Sequence, residues 1–391
     1  MPKTVFKRNR EVAPEQLVQA LTDVMQATLP LELQNTRITP ADAWQVLAYA
    51  SVNRLTLESA CAALSGAPSG NRLREVLLPA LPSCAQLQRR LNRRLRQQLH
   101  PSLWKKPRGL HVAIDLVLIP YHGQPAIDAV EVVRGEAKAG TTHFHGYATA
   151  TIVHDKRRYT LAIRLVQLGE TMAEIVRWLL ARVKRLKIKV RRVYLDAGFA
   201  SVPVLRTLKR RRLAYLLPLP VRGRSGGVRT LFNRAQSYWG YYTLHSPDYG
   251  AWTVKTVVVQ RYLKGRYGKH GRKWFAYAIS GLPRGTPPHQ VFEWYRRRFG
   301  IESTYRQLNH VRARTASRSP VLRLLLVGLA LILVNLHVAL RGLTTLLEAP
   351  AGVPTAIPFS LDRLADLIRQ VVWSALGGPR LLRFRQAVVV S

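Results

Sequence analysis

The sequence is poor in acidic side chains. Its 391 residues include 61 Lys and Arg but only 21 Asp and Glu, which gives a formal net charge of +40. A shortage of acids on this scale excludes a cationic main partner and favours a polyanion such as nucleic acid. The hydrophobic fraction of 47% is that of a folded globular protein, so wholesale disorder is excluded as well.

Cysteines are also scarce. Cys61 and Cys84 are the two in the sequence, too few for a disulfide framework. The first ten residues are basic and polar, unlike a secretory signal. We therefore expect an intracellular protein, cytoplasmic and associated with the nucleoid.

Long apolar runs are limited to one segment. Val321–Leu340 is long enough to span a bilayer. It nevertheless contains Arg323, Asn335 and His337. We therefore predict a buried core helix and no membrane association.

The basic residues concentrate in one part of the chain. Residues 201–300 contain 20 Lys and Arg and only two acids. Within them, residues 222–279 have a β-rich pattern in which tyrosines and tryptophans alternate with basic residues. Phosphates pair with guanidinium groups and bases stack on aromatic rings, so the pattern indicates a DNA-binding surface. Trp239 and Trp252 are candidates for base stacking, and packing between strands is the alternative for each.

Residues 14–100 have apolar positions at helical spacing. The run Leu55–Leu78 predicts a helix, a turn and a second helix, with Arg72 and Arg74 in the first turn of the second helix. This outline fits a DNA-reading helix-turn-helix and also a plain helical packing unit. Arg72 and Arg74 are candidate DNA contacts under the first interpretation.

The pattern changes from helices to strands after residue 107. The near-continuous apolar run Leu110–Ile119 predicts a strand buried on both faces. Further strands are predicted at Thr141–Val153, Tyr159–Val166, Val190–Leu195 and residues 214–219, and helices at Met172–Leu186, Ser201–Arg212, residues 289–309 and Leu361–Leu376. A hairpin turn is predicted at residues 154–157. This order of elements predicts an α/β fold.

Three carboxylates stand out as candidates for chemistry. Asp115 lies in the middle of an apolar strand, where an ionised carboxylate is costly to bury. Asp196 ends another predicted strand, and Glu302 follows the basic segment on a helix. Carboxylates from such positions can converge on two Mg²⁺ ions, which would clamp the two oxygens of a phosphoryl displacement. Strand-end aspartates are also common helix caps, and other acids compete as ligands, namely Asp128, Glu131, Glu136 and Asp155.

The motif Tyr295, Arg298, Glu302 resembles the signature of the insertion-sequence-4-like DDE transposases, in which a Lys follows seven residues after the Glu. Here that position is Asn309, and neighbouring basic residues are candidates to replace the Lys, namely Arg306, His310 and Arg312. The segments AIDLVLIPYHG and GEAKAGTTHFHGYATA are similar to the halobacterial-type branch of that superfamily. The resemblance covers roughly residues 105–340, and the order of elements resembles a ribonuclease H-like core.

This resemblance implies DNA cut-and-paste by metal-dependent strand cleavage and strand transfer, with a DNA hairpin as one route. Asp115, Asp196 and Glu302 would bind two Mg²⁺ or Mn²⁺ ions, while Tyr295 and Arg298, on one helix face, would grip the DNA end. Double-stranded DNA, both transposon ends and target, would be the partner of a homodimer. A catalytically silent domesticated DNA-binding relative, or another ribonuclease H-like nuclease such as a junction resolvase, remains the alternative.

The implied fold is a ribonuclease H-like α/β core interrupted by a β-rich insertion, with helical segments at both ends. We predict an N-terminal helical DNA-binding domain at residues 1–106 and a C-terminal helical segment at residues 346–391. The core occupies residues 107–220 and 286–345. The β-rich insertion occupies residues 221–285, between Asp196 and Glu302.

Overall fold

The computed structural model describes residues 13–126, 129–153, 158–263, 271–341, 345–346 and 357–378. The predicted turn at residues 154–157 and the competing ligands Asp128 and Asp155 lie outside these ranges. The described parts of Met1–Arg94 and Gln307–Ser391 form one compact unit, and Leu95–Arg306 forms a second one. We call them the helical unit and the sheet unit.

The strands are β1 Leu110–Pro120, β2 Val133–Lys138, β3 Thr141–Ile152, β4 Thr160–Leu165, β5 Val190–Tyr194, β6 Tyr215–Pro218, β7 Tyr238–Ser246, β8 Gly250–Leu263, β9 Gly271–Ser280, β10 Thr345–Leu346 and β11 Ile357–Pro358. The helices are α1 Pro14–Thr28, α2 Pro40–Asn53, α3 Leu57–Ala63, α4 Gly70–Ala80, α5 Cys84–Gln97, α6 Met172–Arg185, α7 Val202–Arg210, α8 Pro288–Arg296, α9 Phe299–His310, α10 Pro320–Leu340 and α11 Leu361–Leu376.

Nine strands form one sheet in the described part of the sheet unit. Their order is β2-β3-β1-β5-β6-β9-β8-β7, and β4 also pairs with β3. β1 is antiparallel to β3 and parallel to β5, which is parallel to β6. The order β4-β3-β1-β5-β6 is that of a ribonuclease H-like core, so the predicted fold class is confirmed. The sequence analysis missed β2, because its mostly exposed residues show no apolar alternation.

The β-rich insertion continues the core sheet. β9 pairs antiparallel with β6, with Leu216 opposite Ile279, and β8 and β7 extend the sheet beyond β9. The inserted strands therefore share a hydrogen-bond ladder with the strands that precede them in the chain. Sequence patterning predicted a β-rich segment here but not its continuity with the core sheet.

The apolar helix α10 lies in the helical unit, where it contacts α2 and α11. Within the described residues it is the one helix long and apolar enough to cross a membrane, and 83% of its most apolar window is buried. The predicted core helix is thus confirmed. Because it is apolar on every side, it can be buried among helices of its own unit.

The C-terminal helix α11 buries its apolar face within the helical unit. It contacts α2 and α1, and the indole Nε1 of Trp373 donates a hydrogen bond to the Tyr49 hydroxyl at 3.0 Å. Arg369 donates to the side chain of Asn53 at 2.9 Å. Residues 13–94 and 361–376, treated separately in the sequence analysis, therefore form one packed unit.

Candidate active site

The three predicted carboxylates converge on one guanidinium group. Arg298 Nη1 donates to Asp115 Oδ2 at 3.0 Å, and Arg298 Nη2 lies 3.4 Å from both Asp196 Oδ1 and Glu302 Oε1. One side chain therefore contacts acids from β1, from the end of β5 and from the first turn of α9.

The register of the central strands explains why the two aspartates meet. Ala113 of β1 pairs with Tyr194 of the parallel strand β5, and Asp115 and Asp196 each follow two residues later. Side chains two residues apart lie on the same face of a strand. Asp115 and Asp196 are thus placed side by side on one face of the sheet. Asp196 also caps a short 3₁₀ turn, because its Oδ1 accepts from the Ala197 N–H at 2.8 Å.

Burial is uneven across this cluster. Asp115 is 9% exposed and Arg298 is 6% exposed, whereas the side chains of Asp196 and Glu302 are 47% and 43% exposed. Burial raises the pKa of Asp115 to about 6, although Arg298 and the Leu116 N–H act in the opposite direction. Burial opposes the charge of Arg298, but Tyr295 and the three acids outweigh it and raise its pKa. The guanidinium is therefore a permanent cation among three acids.

The donor chemistry of this cluster suits a divalent cation. Three carboxylates provide the hard oxygen ligands that Mg²⁺ prefers. In the present arrangement the three carboxylates contact Arg298 and do not surround a common point. Within the described ranges, no group of three or more His, Cys, Asp or Glu side chains is spaced to hold an ion. The acids fit a metal site in which the guanidinium has left the space between them.

The helix predicted at residues 289–309 is interrupted. α8 ends at Arg296 and α9 begins at Phe299. The intervening turn is tightened by bonds from the Arg298 N–H to the Tyr295 carbonyl and from the Ile301 N–H to the Arg298 carbonyl, both 2.8 Å. The prediction that Tyr295, Arg298 and Glu302 share one helix face is therefore wrong. The break lies among three consecutive arginines and just before Gly300, a poor helix former.

Tyr295 lies in the core beneath the carboxylates. It is 9% exposed, and its ring centroid is 5.1 Å from that of Tyr277. Its hydroxyl lies 3.4 Å from the carbonyl oxygen of Leu195, the residue before Asp196. In this structure Tyr295 supports the chain beside Asp196, and its ring is not available to DNA.

Trp239 and Trp252 lie on opposite faces of the sheet. Trp239 packs against the apolar cluster that includes Val257 and the α8 residue Val291, on the face that also carries Asp115 and Arg298. Lys255 Nζ lies 4.8 Å from the centroid of the Trp239 ring. Trp252 instead packs beside α7, where basic side chains lie over its ring, namely Arg206 at 5.3 Å and Lys209 at 4.8 Å. The structure therefore places only Trp239 on the face of the carboxylates.

The other predicted DNA contacts are exposed. Arg306 and Asn309 follow Glu302 on α9, four and seven residues later. Arg72 and Arg74 lie in the first turns of α4, and Arg72 donates to the Asn35 carbonyl at 2.6 Å. Arg72 lines an open pocket of about 490 Å³ that also includes Arg37. These positions suit phosphate contact, and nothing in their geometry distinguishes a helix-turn-helix from a packing unit.

Two residues of the site, one half-buried and one buried, had no sequence signal. Tyr305 of α9 and Thr149 of β3 join their hydroxyl groups at 2.8 Å, next to Asp115. The β1–β3 register, which places Thr149 opposite Asp115, was the information needed to find them.

Comparison with known proteins decides the family. The model of the family described as transposase DDE domain matches residues 106–336, more than half of the chain. The chain belongs to the transposase DDE domain family. A search of curated protein sequences finds no match.

The fold of this DDE transposase also has relatives among solved structures. A piggyBac transposase, solved as a synaptic complex with hairpin DNA, aligns with a TM-score of 0.54 and 12% sequence identity. The alignment covers 94% of this chain and 80% of that one. At this identity the likeness concerns the fold. Family membership makes the protein a DNA transposase, an enzyme of strand cleavage and strand transfer, and DDE transposases generally use divalent metal ions.

Proposed function

We propose that this transposase cuts and joins the ends of an insertion sequence at the site formed by Asp115, Asp196 and Glu302. The observation that carries the proposal is the convergence of these three acids, from β1, β5 and α9, on a single cation. Two Mg²⁺ or Mn²⁺ ions, when bound, supply Lewis-acid activation of the attacking oxygen and charge for the leaving oxygen. The three carboxylates would hold the ions, and the sheet fixes the two aspartates relative to each other.

Arg298 has two roles in this proposal. Without metal its single positive charge lies 3.0–3.4 Å from all three acids and offsets part of their negative charge, which lessens their mutual repulsion. The guanidinium lies between the acids and would have to move aside for them to hold divalent ions. A DNA phosphate is then its natural acceptor, because a guanidinium pairs bidentately with phosphate. Arg298 would thus give up its contacts with the three carboxylates and pair with a DNA phosphate when metal and DNA bind.

The remaining partners follow from charge. The basic strands β7–β9 continue the core sheet, and we assign to them the main grip on double-stranded DNA, supported by Arg306, Asn309, Arg72 and Arg74. Joining two ends requires two active sites, so we propose a homodimer on DNA. We also propose that the protein is cytoplasmic, associated with the nucleoid, and nearest to the halobacterial-type branch of the insertion-sequence-4-like group.

Metal-dependent cleavage tests this function directly. The purified protein is incubated with end-labelled DNA from either side of its gene, with Mn²⁺ or with a chelator. We expect nicks at defined positions only with Mn²⁺, followed by joining of the freed 3′ ends to target DNA. Specific binding without any cleavage would instead favour the domesticated, silent relative. Cleavage restricted to four-way junctions would favour a resolvase.

The two tryptophans provide a test of base stacking. If cleavage passes through a DNA hairpin, a terminal base must leave the stack and find an aromatic surface, which is worth about 1–3 kcal/mol per base. Trp239→Ala is expected to reduce hairpin formation roughly tenfold or more while first-strand nicking changes little. Gel analysis of both products measures this.

Trp252→Ala is the matched control, because Trp252 lies on the opposite face beside α7. Equal loss of nicking and hairpin formation in Trp239→Ala, or a larger hairpin defect in Trp252→Ala, would show that Trp239 is not the stacking platform.

A further inference from the structure

A partly buried hydrogen bond connects the helix of Glu302 to the strand beside Asp115. Tyr305 lies on α9, one turn after Glu302, and its hydroxyl lies 2.8 Å from Thr149 Oγ1. Thr149 is fully buried on β3, directly opposite Asp115 of β1. The Tyr305–Thr149 bond therefore joins two chain segments that each carry or adjoin one of the three acids.

The register places this bond alongside the Asp115 side chain. Residues directly opposite on antiparallel strands project to the same face, with their Cβ atoms about 4.5–5.5 Å apart. Burial raises the pKa of Tyr305 well above its ordinary value, and the negative charge of Asp115 raises it further. Tyr305 therefore stays a neutral hydroxyl next to Asp115.

The hydrogen bond constrains α9 in a way that apolar contacts do not. Ile301 is fully buried in the core of the sheet unit and keeps α9 docked. Apolar packing does not fix the rotation of a helix about its own axis, because it has no strict direction. The rotation of α9 sets the position of the Glu302 carboxylate, so that position depends on directional contacts such as hydrogen bonds. Arg298 provides one such contact, but the proposed function removes it when metal enters. The Tyr305–Thr149 bond remains as a directional contact one turn from Glu302.

We propose that Tyr305 and Thr149 are positioning residues that fix Glu302 relative to Asp115 and thereby set the affinity of the site for its divalent ion. This inference rests on the proposed function. Neighbours that orient metal ligands commonly contribute about 10–100-fold to metal affinity. Neither residue belongs to the Tyr295, Arg298, Glu302 motif.

The test measures Mn²⁺ binding to the full-length protein without DNA, by titration calorimetry and by the electron paramagnetic resonance signal of free Mn²⁺. Tyr305→Phe and Thr149→Val are each expected to weaken binding about tenfold. The double variant should bind no more weakly than either single variant, because all three lack the same bond. In the cleavage assay, higher Mn²⁺ should restore the rate of Tyr305→Phe to nearly that of the wild type.

Tyr238→Phe is the matched control. It removes a tyrosine hydroxyl that donates to the Leu231 carbonyl, also at 2.8 Å, on β7. Its Mn²⁺ affinity should equal that of the wild type. Thermal unfolding of all variants shows whether the folded state is retained.

Three outcomes are decisive. Wild-type Mn²⁺ affinity in Tyr305→Phe, together with lost binding in Asp115→Asn, would overturn the positioning pair and leave the proposed function intact. Additive losses in the double variant would show that the residues act separately, which also overturns the pair. Unchanged Mn²⁺ binding in Asp115→Asn would overturn the proposed metal site itself.

Discussion

Asp115→Asn, Asp196→Asn and Glu302→Gln are each expected to lower Mn²⁺-dependent DNA cleavage by about a thousandfold or more, which corresponds to about 4 kcal/mol of transition-state stabilisation. Each substitution preserves the size of the side chain but removes one negative oxygen ligand. Because the three acids act on the same reacting phosphate, none can replace another. Initial rates on end-labelled DNA measure the loss.

Glu293→Gln is the matched control for Glu302→Gln. Glu293 is the acid of α8 that pairs with Arg261 at 3.0 Å, and it does not contact Arg298 in the structure. Its substitution should leave the cleavage rate within a few-fold of the wild type. Cleavage that survives the loss of any one of Asp115, Asp196 or Glu302 would refute the proposed triad.

Arg298→Gln is expected to have opposite effects on stability and on metal binding. Without metal, its loss leaves Asp115 buried beside two other acids, and removing one partner of a buried ion pair costs about 3–5 kcal/mol. Because Asp196 and Glu302 are half exposed, we expect roughly 3 kcal/mol, near the lower limit. Mn²⁺ should bind about tenfold more tightly, because no guanidinium has to be displaced. Chemical denaturation and titration calorimetry measure the two quantities.

Arg297→Gln controls for the loss of a positive charge at almost the same position. Arg297 is exposed in the turn between α8 and α9, so its substitution should change stability by about 0.5 kcal/mol or less. Weaker Mn²⁺ binding in Arg298→Gln would mean that Arg298 holds the three acids in position for the metal and does not compete with the metal for them. Unchanged DNA cleavage in that variant would contradict the proposed transfer of Arg298 to a DNA phosphate.

The core of the fold and the three acids could be predicted because their signals are local. The run Leu110–Ile119 is apolar at nearly every position, so a buried strand was the simple interpretation and Asp115 was conspicuous within it. Asp196 was visible at the end of another such strand. Their adjacency depends on β1 and β5 being parallel neighbours, which the expected ribonuclease H-like order supplied.

The details of the site depend on contacts between distant residues. The helical pattern runs through Arg298 without interruption, so the break before α9 could not be read from it. The position of that guanidinium reflects its attraction to Asp196 and Asp115, which lie 102 and 183 residues earlier in the chain. Trp239 and Trp252 have similar aromatic and basic neighbours in sequence, and only the β7–β8 register assigns them to opposite faces. The packing partners of α10 could not be predicted either, because a helix that is apolar on all sides has no distinct face to assign to a neighbour.

The pairing of β9 with β6 has a consequence for how such enzymes can be rebuilt. If the inserted strands were removed, the Tyr215–Pro218 backbone would keep β5 on one side but lose β9 on the other, and this open edge would invite pairing with another chain. The inserted strands β7–β9 therefore cannot be exchanged between transposases as a detachable cassette. Strands transplanted from another transposase have to restore the pairing of Leu216 with Ile279, because these strands complete the sheet that carries Asp115.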